Sequence, residues 1–434
     1  MRWFVLLSCG LALAGTQAFG KQAATEGAAV RSPLPLATPA SEGFSPRRLQ
    51  RLERFLRKAT DQQGYLGGVV LIARDGHIVD WRAYGHRDLA RREILPRDAI
   101  FRIYSMTKTV TSVAVLQLAE AGKLEVDDPV ARYLPELSKP QVMIGGTADA
   151  PKLASARSQI TIRELLTHTA GFPAGLDGDE EAVKALERID PHGAKDLRGF
   201  VERLSRAPLA AQPGTRFGYD GAALEVLARL VEVVSKEPYE VYLRKHILDP
   251  LRMRDTGFNV PAEKRKRVID LTTMGRDGRL VLDTSPSAVE PGAPLNAYPS
   301  GAGGLYSTAA DYARFCQMLL DGGTLDDVRI LKRETVASML RNQLTMLDPP
   351  VTQFSAGEGF GFGGYVVTDP GKREQGGAMG QFGWSGAAST TYMINPREHL
   401  VAILMLQHLP REGVHDLPRI SRDFYRLVYE SLER

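Results

Sequence analysis

Hydrophobic residues recur at helical spacing near both ends of the chain. Leucine and phenylalanine return every three or four positions from Leu49 to Leu56, after a Ser45-Pro46 pair that is typical of a helix start. The same spacing from Ile420 to Val428 predicts a closing helix. Between about residues 125 and 290, helical patches alternate with loops that contain glycine and proline. The pattern therefore predicts a mainly helical middle.

Apolar runs rich in β-branched residues predict strands toward both ends. In GGVVLIARDGHIVDWRAYG, two such runs flank Asp75-Gly76, a dipeptide typical of a two-residue hairpin turn. Three more runs, GFGFGGYVV, GAASTTYMI and LVAILMLQ, follow residue 358. Strands at both ends with helices between them predict an α+β fold, an α/β sandwich in which one antiparallel sheet is flanked by helices. We expect a sheet domain from residues 45–124 and 290–434, with a mainly helical domain, 125–289, inserted into it.

The first eighteen residues have the pattern of a secretory signal peptide. Arg2 precedes FVLLSCGLALAG, an apolar run shorter than the ~20 residues of a membrane-spanning helix, and small residues follow up to Ala18. We expect cleavage near Ala18 and export to the periplasm or the medium; the alternative is an uncleaved anchor. Residues 19–44 are rich in Ala, Pro, Ser and Gly, which predicts a surface leader or linker.

Composition and cysteine content exclude several classes of function. The 434 residues carry a formal charge of +4 with both signs mixed along the chain, so nucleic acid is not indicated as a partner. Of the two cysteines, Cys316 alone remains once the signal is removed, and its amphipathic surroundings predict a buried apolar residue. The histidines form no metal-spaced pair, and no phosphate loop or Gly-x-Ser-x-Gly motif occurs. We expect no metal and no cofactor.

The stretch FRIYSMTKTV carries the first candidate chemistry. Ser105 and Lys108 stand three residues apart at the predicted start of a helix that runs from Ser105 to Ala121, so both side chains share one helix face. The partial positive charge of a helix N-terminus, together with burial, disfavours a protonated lysine and so favours a base for the serine. The Ser105 amide would point at a developing oxyanion. The alternative is a helix cap beside a solvated lysine.

Five segments resemble one known family and appear in its order. SMTK is similar to the Ser-x-x-Lys signature of the serine β-lactamase and penicillin-binding-protein superfamily. IRELLTHTAGF, QPGTRFGYDGAALEVLARLVE, GAGGLYSTAADYARFCQMLLDGG and GQFGWSGAASTTYMINP resemble further segments of its class C-like members and of the related family VIII-type carboxylesterases. The resemblance runs from about residue 40 to 430 and implies a β-lactamase/transpeptidase-like fold.

The resemblance also implies roles for individual residues. Ser105 is the expected acyl-accepting nucleophile and Lys108 its base partner, while Tyr219 matches the tyrosine that helps to move the proton. Whether Lys108 or Tyr219 removes the serine proton stays open. The backbone amides of Ser105 and Ala387 are the expected oxyanion donors. His168, in THTAG, is expected to order a loop near the site rather than to act as a base.

Two departures from the family pattern bear on the substrate. Trp384-Ser385-Gly386 stands where β-lactamases and transpeptidases usually have Lys or His, then Ser or Thr, then Gly; the tryptophan is typical of the esterase branch. Tyr219-Asp220-Gly221 stands where the family often has Tyr-x-Asn. We expect the substrate-binding residues at these two motifs to be Trp384, Ser385, Gly386, Asp220 and Gly221. The two groups with which the family binds a β-lactam or a D-peptide, the cation of the third motif and the asparagine amide of the second, are therefore missing.

The sequence therefore predicts an exported serine hydrolase that acts on small-molecule esters through an acyl-enzyme intermediate. The alternatives within enzymes are amide hydrolysis, meaning a β-lactamase or D-amino-acid peptidase, and acyl transfer to an acceptor other than water. An alternative of another class is a penicillin-binding or scaffold protein without turnover. The intact serine, lysine and tyrosine favour an enzyme.

Overall fold

The computed structural model describes residues 33–433, apart from 62–63, 348–351, 353, 374–375, 412 and 414. The α-helices are α1 (Pro46–Ala59), α2 (Thr107–Glu120), α3 (Ile162–Leu166), α4 (Glu180–Ile189), α5 (Leu197–Leu204), α6 (Ala223–Ser235), α7 (Tyr239–Leu243), α8 (Pro286–Val289), α9 (Ala309–Leu320), α10 (Arg333–Met339) and α11 (Ser421–Glu430). The strands are β1 (Gly67–Arg74), β2 (His77–Gly85), β3 (Phe101–Arg102), β4 (Gln141–Gly146), β5 (Pro151–Ser155), β6 (Thr272–Met274), β7 (Leu280–Leu282), β8 (Tyr306–Ser307), β9 (Thr324–Leu325), β10 (Val328–Arg329), β11 (Glu358–Phe360), β12 (Tyr365–Val367), β13 (Phe382–Ser385), β14 (Thr391–Asn395), β15 (Leu400–Leu406) and β16 (His408–Leu409).

Strands from both ends of the chain form the main sheet. Its order is β11-β12-β13-β14-β15-β1-β2, and each neighbouring pair is antiparallel. The turn between β1 and β2 has positive φ angles at both Asp75 (49°) and Gly76 (80°), as a two-residue hairpin requires. The predicted hairpin and the predicted antiparallel sheet are confirmed.

Helices cover both faces of this sheet. Alternate residues of β15 face two different cores: Ile403 and Met405 pack on the side of α2 and α9, while Ala402 and Leu404 pack on the side of α1 and α11. Every residue of β15 is buried, which explains the unbroken apolar run LVAILML. The predicted α+β sandwich is confirmed.

The helix after the candidate nucleophile is central to the fold. α2 packs against α6 and α7, and most of its residues are buried, so its sequence lacks a polar face. It begins at Thr107 rather than at Ser105, and a 3-10 turn, Tyr104–Met106, precedes it. Cys316 is buried in α9 and forms no disulfide with any residue that the structure describes.

The structure refines other predicted elements. GFGFGGYVV is the hairpin β11–β12, and GAASTTYMI becomes a strand only at Thr391, because Gly386–Thr390 is the turn between β13 and β14. The middle of the chain also contains short strands, β4 to β7, that helical patterning did not predict. The division into a sheet domain and an inserted helical domain stays a prediction.

The predicted signal peptide, residues 1–18, lies outside the described residues, as does most of the predicted linker. Within the described part of that linker, Leu36 forms a parallel bridge to Ile78 of β2, and Pro39–Glu42 is a 3-10 turn. Among the helices in the described part of the chain, none combines the length and the apolar character needed to cross a membrane.

Candidate active site

The turn that carries Ser105 connects β3 to α2. Tyr104, immediately before the serine, has a φ of 41°, in the left-handed region that residues with a Cβ rarely adopt. Such a conformation costs free energy and persists only where the surrounding structure imposes it, which is common at functional sites. The strained residue and the candidate nucleophile are therefore neighbours in one turn.

The Lys108 amine is held against the Ser105 hydroxyl. Lys108 Nζ donates hydrogen bonds to Ser105 Oγ at 3.2 Å and to the carbonyl oxygen of Ala302 at 2.7 Å. The amine lies 5.0 Å from the centre of the Tyr219 ring. Lys108 is 4% exposed, so little bulk water reaches it. The structure brings together the three residues for which the sequence predicts proton transfer.

Tyr219 links this group to the third predicted motif. Trp384 Nε1 donates a hydrogen bond to the Tyr219 hydroxyl at 3.3 Å, and the centres of the two rings are 5.0 Å apart. The indole thus occupies the place beside the tyrosine where β-lactamases and transpeptidases are expected to have a cation. An indole N–H can orient the phenol, but it contributes no charge for an anionic substrate.

The loop that carries His168 packs against Tyr219. The His168 ring lies 4.8 Å from the Tyr219 ring, and its Nδ1 is 3.0 Å from Asp220 Oδ2. Asp220 also accepts hydrogen bonds from the amides of Ala222 and Ala223 at 2.8 and 2.6 Å, at the start of α6. Burial opposes ionisation of the Asp220 carboxyl, but His168 and these amides outweigh it and hold its pKa below the usual range. These contacts fix the backbone around Tyr219.

A cavity of about 330 Å³ opens at the candidate nucleophile. The predicted site residues that line it are Ser105, Tyr219, Trp384, Ser385, Gly386 and Ala387. Among its described lining residues, neither Asp220 nor Gly221 appears, and the Asp220 carboxylate is committed to His168 and to the start of α6. The substrate-binding role of these two residues stays a prediction that no contact here supports.

Aromatic rings form one wall of the cavity. The Phe354 ring lies 5.5 Å from both Tyr219 and Trp384, and all three residues line the cavity. Behind this wall, the buried Phe360 ring packs 5.2 Å from Trp384. Farther along the same cavity, Arg373 Nε and Glu358 Oε1 form a buried ion pair at 2.5 Å. Because these two charges neutralise each other, the pair adds little net charge to the cavity, whose other lining cation among the described residues is the exposed Arg419. Beside Ser105, Tyr219 and Trp384 present aromatic rings to a substrate.

Gly386 lets the β13–β14 turn approach the nucleophile turn. A Cβ at this position would lie 2.4 Å from the carbonyl oxygen of Ile103 and 2.4 Å from Thr390 Oγ1. Any larger residue would therefore push the turn away from the segment that precedes Ser105. The same turn carries Ala387, so this close approach sets how far apart the two predicted oxyanion donors lie.

Sequence reasoning did not identify two contributors to the site. The Ala302 carbonyl, which accepts from Lys108, lies in GAGGLYSTAADYARF, a segment singled out only for its family likeness. Phe354 is an isolated aromatic residue in a polar loop and gave no signal of its own. In the part of the chain that the structure describes, no group of three or more His, Cys, Asp or Glu side chains is placed to hold a metal ion.

A family model, relatives of known sequence and solved structures each match most of the chain. The Beta-lactamase family model matches residues 52–423. Protein Rv1367c of Mycobacterium tuberculosis is 34% identical over 366 residues, which cover 82% of this chain and 89% of that protein. Esterase EstB of Burkholderia gladioli is 30% identical over 387 residues, which cover 84% of this chain and 91% of that protein. The solved structure of EstCE1, described as a hydrolase with promiscuous acyltransferase activity, matches with a TM-score of 0.70 at 24% identity, covering 89% of this chain and 98% of that chain.

Proposed function

Because the chain belongs to the β-lactamase family and is a serine hydrolase of that family, we propose that it cleaves carboxylic esters through an acyl-enzyme formed on Ser105. One observation carries the proposal: Lys108 Nζ lies 3.2 Å from Ser105 Oγ, and Ser105 shares a cavity with Tyr219 and Trp384. The likeness to esterase EstB supports an ester as the substrate class.

The proposed reaction proceeds in two halves. Ser105 Oγ attacks the ester carbonyl carbon while its proton passes to the Lys108–Tyr219 pair, and the amides of Ser105 and Ala387 donate hydrogen bonds to the oxyanion. The C–O bond to the alcohol then breaks, and the alkoxide takes the proton back from the pair. Water next attacks the acyl carbon, gives a proton to the same pair, and releases the carboxylic acid as Ser105 recovers its hydrogen.

The cavity wall supports a neutral ester with a small or medium acyl group. Trp384 and Phe354 offer rings to an apolar substituent. A β-lactam or a D-peptide carries a carboxylate, and the indole at position 384 offers that group an N–H that is already donated to Tyr219. The aromatic wall therefore favours a neutral ester over a β-lactam or D-peptide whose carboxylate would have to bind beside Tyr219.

A paired assay tests the proposal. Purified protein and the Ser105→Ala variant are offered a short-chain p-nitrophenyl ester and a chromogenic cephalosporin. We expect ester turnover that the variant lacks, with little cephalosporin turnover. Fast cephalosporin turnover with little ester activity would assign the enzyme to β-lactam hydrolysis. Labelling of one serine per chain without turnover would assign it to penicillin binding.

We also propose that the protein acts outside the cytoplasm, on the strength of the signal-peptide pattern in residues 1–18. Expression of the full chain in a bacterial host, followed by N-terminal sequencing of the periplasmic and medium fractions, tests this. A mature N-terminus close to Ala18 supports export, whereas an intact Met1 in the cytoplasmic fraction contradicts it.

A further inference from the structure

A buried carboxyl group lies behind the candidate base. Glu225, in the first turn of α6, is 1% exposed, although it stands in the apolar run AALEVLARLVEVV. A buried acid needs hydrogen-bond partners to compensate for lost hydration. Among the described residues, the partners of this carboxyl belong to one turn, Ser300 to Ala302.

This turn connects Glu225 to the catalytic group. The carboxylate of Glu225 accepts hydrogen bonds from the hydroxyl of Ser300 and, at 2.9 Å, from the amide of Gly301. The next carbonyl in the turn, that of Ala302, accepts the hydrogen bond from Lys108 Nζ at 2.7 Å. The path from Glu225 to Lys108 therefore runs through a single turn of backbone.

The turn is also clamped on its other sides. Thr111 Oγ1, on α2, donates to the Gly301 carbonyl at 2.7 Å. A Cβ on Gly301 would lie 2.4 Å from the carbonyl oxygen of Leu224 and 2.7 Å from Ala228 Cβ, so the turn lies directly on α6. Steric contact thus limits how close the turn lies to α6, and hydrogen bonds to Glu225 and from Thr111 engage its polar groups.

We propose that Glu225 is a positioning residue for acyl transfer at Ser105. Its carboxylate orients the Ser300–Ala302 turn so that the Ala302 carbonyl keeps Lys108 Nζ within hydrogen-bonding reach of Ser105 Oγ. The inference rests on the proposed function, because its readout is the reactivity of Ser105.

If Glu225 acts through its charge, the reactivity of Ser105 should depend on pH as this carboxyl ionises. Burial raises the pKa of the Glu225 carboxyl to about 7, although the turn and Lys108 oppose the shift. Tyr239 on α7 and Tyr298 before the turn also face this carboxyl, and burial raises the pKa of each phenol far above its usual value. Both phenols therefore stay neutral, and Glu225 is the acid here whose charge changes between neutral and mildly acidic pH. Below about pH 7, Glu225 gains a proton and loses acceptor capacity toward the turn.

Glu225→Gln tests the proposal because glutamine keeps the size and loses the charge. Its matched control is Asp311→Asn: Asp311 is another buried acid that accepts an amide and a hydroxyl hydrogen bond, from Asp255 and Thr256, without touching the site. The p-nitrophenyl ester assay gives kcat and KM between about pH 5 and pH 9. A p-nitrophenyl phosphonate gives the rate of Ser105 labelling, and circular dichroism checks the fold.

We expect Glu225→Gln to lower kcat and the labelling rate about tenfold or more at pH 8 with KM nearly unchanged, because only the orientation of the base is altered. The fall of kcat below about pH 7 in the wild type should flatten in this variant. Asp311→Asn should leave kcat, the rate of Ser105 labelling and the fall of kcat at low pH unchanged. Ser300→Ala, which removes one donor to Glu225, should lower kcat by a smaller factor and is the second variant if Glu225→Gln does not fold.

Two failures can be told apart. If the wild type neither turns over the ester nor is labelled at Ser105, the proposed function fails. If the wild type reacts at Ser105 but Glu225→Gln matches it in kcat, labelling rate and pH profile, the function stands and the positioning role is overturned. A change confined to KM, or an equal loss of kcat in Asp311→Asn, overturns it as well.

Discussion

At the scale of single residues, the site depends on a lysine that is buried and doubly hydrogen-bonded. Lys108 Nζ is held by Ser105 Oγ and by the Ala302 carbonyl, with the Tyr219 ring beside it. In the alternative, in which Ser105 only caps a helix, Lys108 would lie in solvent. The buried contact therefore favours the catalytic interpretation of the Ser-x-x-Lys motif over the helix-cap alternative.

Lys108→Ala should remove a large part of the catalytic rate. General acid–base groups contribute about 10²–10⁴-fold, so we expect a loss of kcat in this range while the variant stays folded. Steady-state kinetics with the p-nitrophenyl ester measures it, and Lys123→Ala, at an exposed lysine just beyond α2, is the control. A Lys108→Ala enzyme with wild-type kcat would contradict the role of this amine.

Gly386→Ala should disturb the oxyanion donors. The added Cβ would collide with the Ile103 carbonyl and with Thr390 Oγ1, so the β13–β14 turn must move away from Ser105. We expect kcat to fall about 10- to 100-fold, with a smaller effect on KM. Gly257→Ala is a suitable control, because a Cβ there meets its nearest neighbour at an ordinary 3.7 Å. Equal kcat values in the two variants would argue against this geometry.

Local sequence predicted the residues of the site better than it predicted their surroundings. Ser105 and Lys108 are one turn apart, so their contact follows from spacing alone. The contact of Tyr219 with Trp384 spans 165 positions and was expected only through family resemblance. Nothing in the sequence pairs Glu225 with Ser300, because hydrogen bonds across 75 positions leave no periodic pattern.

At the scale of elements, α3 illustrates how a short helix is fixed beside the site. Thr161 accepts a hydrogen bond from the Glu164 amide at 3.2 Å, and the Glu164 carboxylate accepts one from the Thr161 amide at 2.7 Å. This capping box satisfies two donors at the helix start. The helix leads directly into the loop that carries His168.

Thr161→Ala should destabilise the fold while leaving catalysis nearly unchanged. Loss of such a cap costs about 1 kcal/mol in the free energy of unfolding. Urea unfolding followed by circular dichroism measures this cost, and the ester assay should give a kcat within about twofold of the wild type, since the cap touches no reacting group. A large loss of kcat with unchanged stability would instead place α3 in the catalytic machinery.

Among the elements that the sequence predicted well are strands that are buried almost uniformly. β1 and β15 are covered on both faces and so appear as continuous apolar runs. The helix predicted to start at Ser105 begins two residues later, because Tyr104–Met106 forms a 3-10 turn that spacing cannot distinguish from an α-helix. Short strands such as β6 and β7 contain too few residues to show a period.

At the scale of the whole molecule, buried carboxyls couple stability to pH. Burial raises the pKa of Asp311 to about 6, above its ordinary value of 3.8. A carboxyl whose pKa is raised on folding binds its proton more tightly in the folded state. Its contribution to stability is therefore present at low pH and is lost as the pH rises through about 6.

Comparison of the wild type with Asp311→Asn should reveal this pH dependence as a difference between their free energies of unfolding. Relative to the variant, the wild type should lose about 2–3 kcal/mol of unfolding free energy between pH 4 and pH 7, while pH effects shared by both proteins cancel. Urea titrations of the two proteins at each pH measure it. A difference that stays constant, or that grows in favour of the wild type as the pH rises, would contradict the raised pKa.

The most direct test of the account is to capture the acyl-enzyme. The protein is mixed with a p-nitrophenyl ester, quenched in acid during turnover, and analysed by intact and peptide mass spectrometry. We expect one acyl group per chain, located on the peptide that contains Ser105, and neither adduct nor turnover in Ser105→Ala. An adduct on another residue, or ester turnover undiminished in Ser105→Ala, would contradict the central claim.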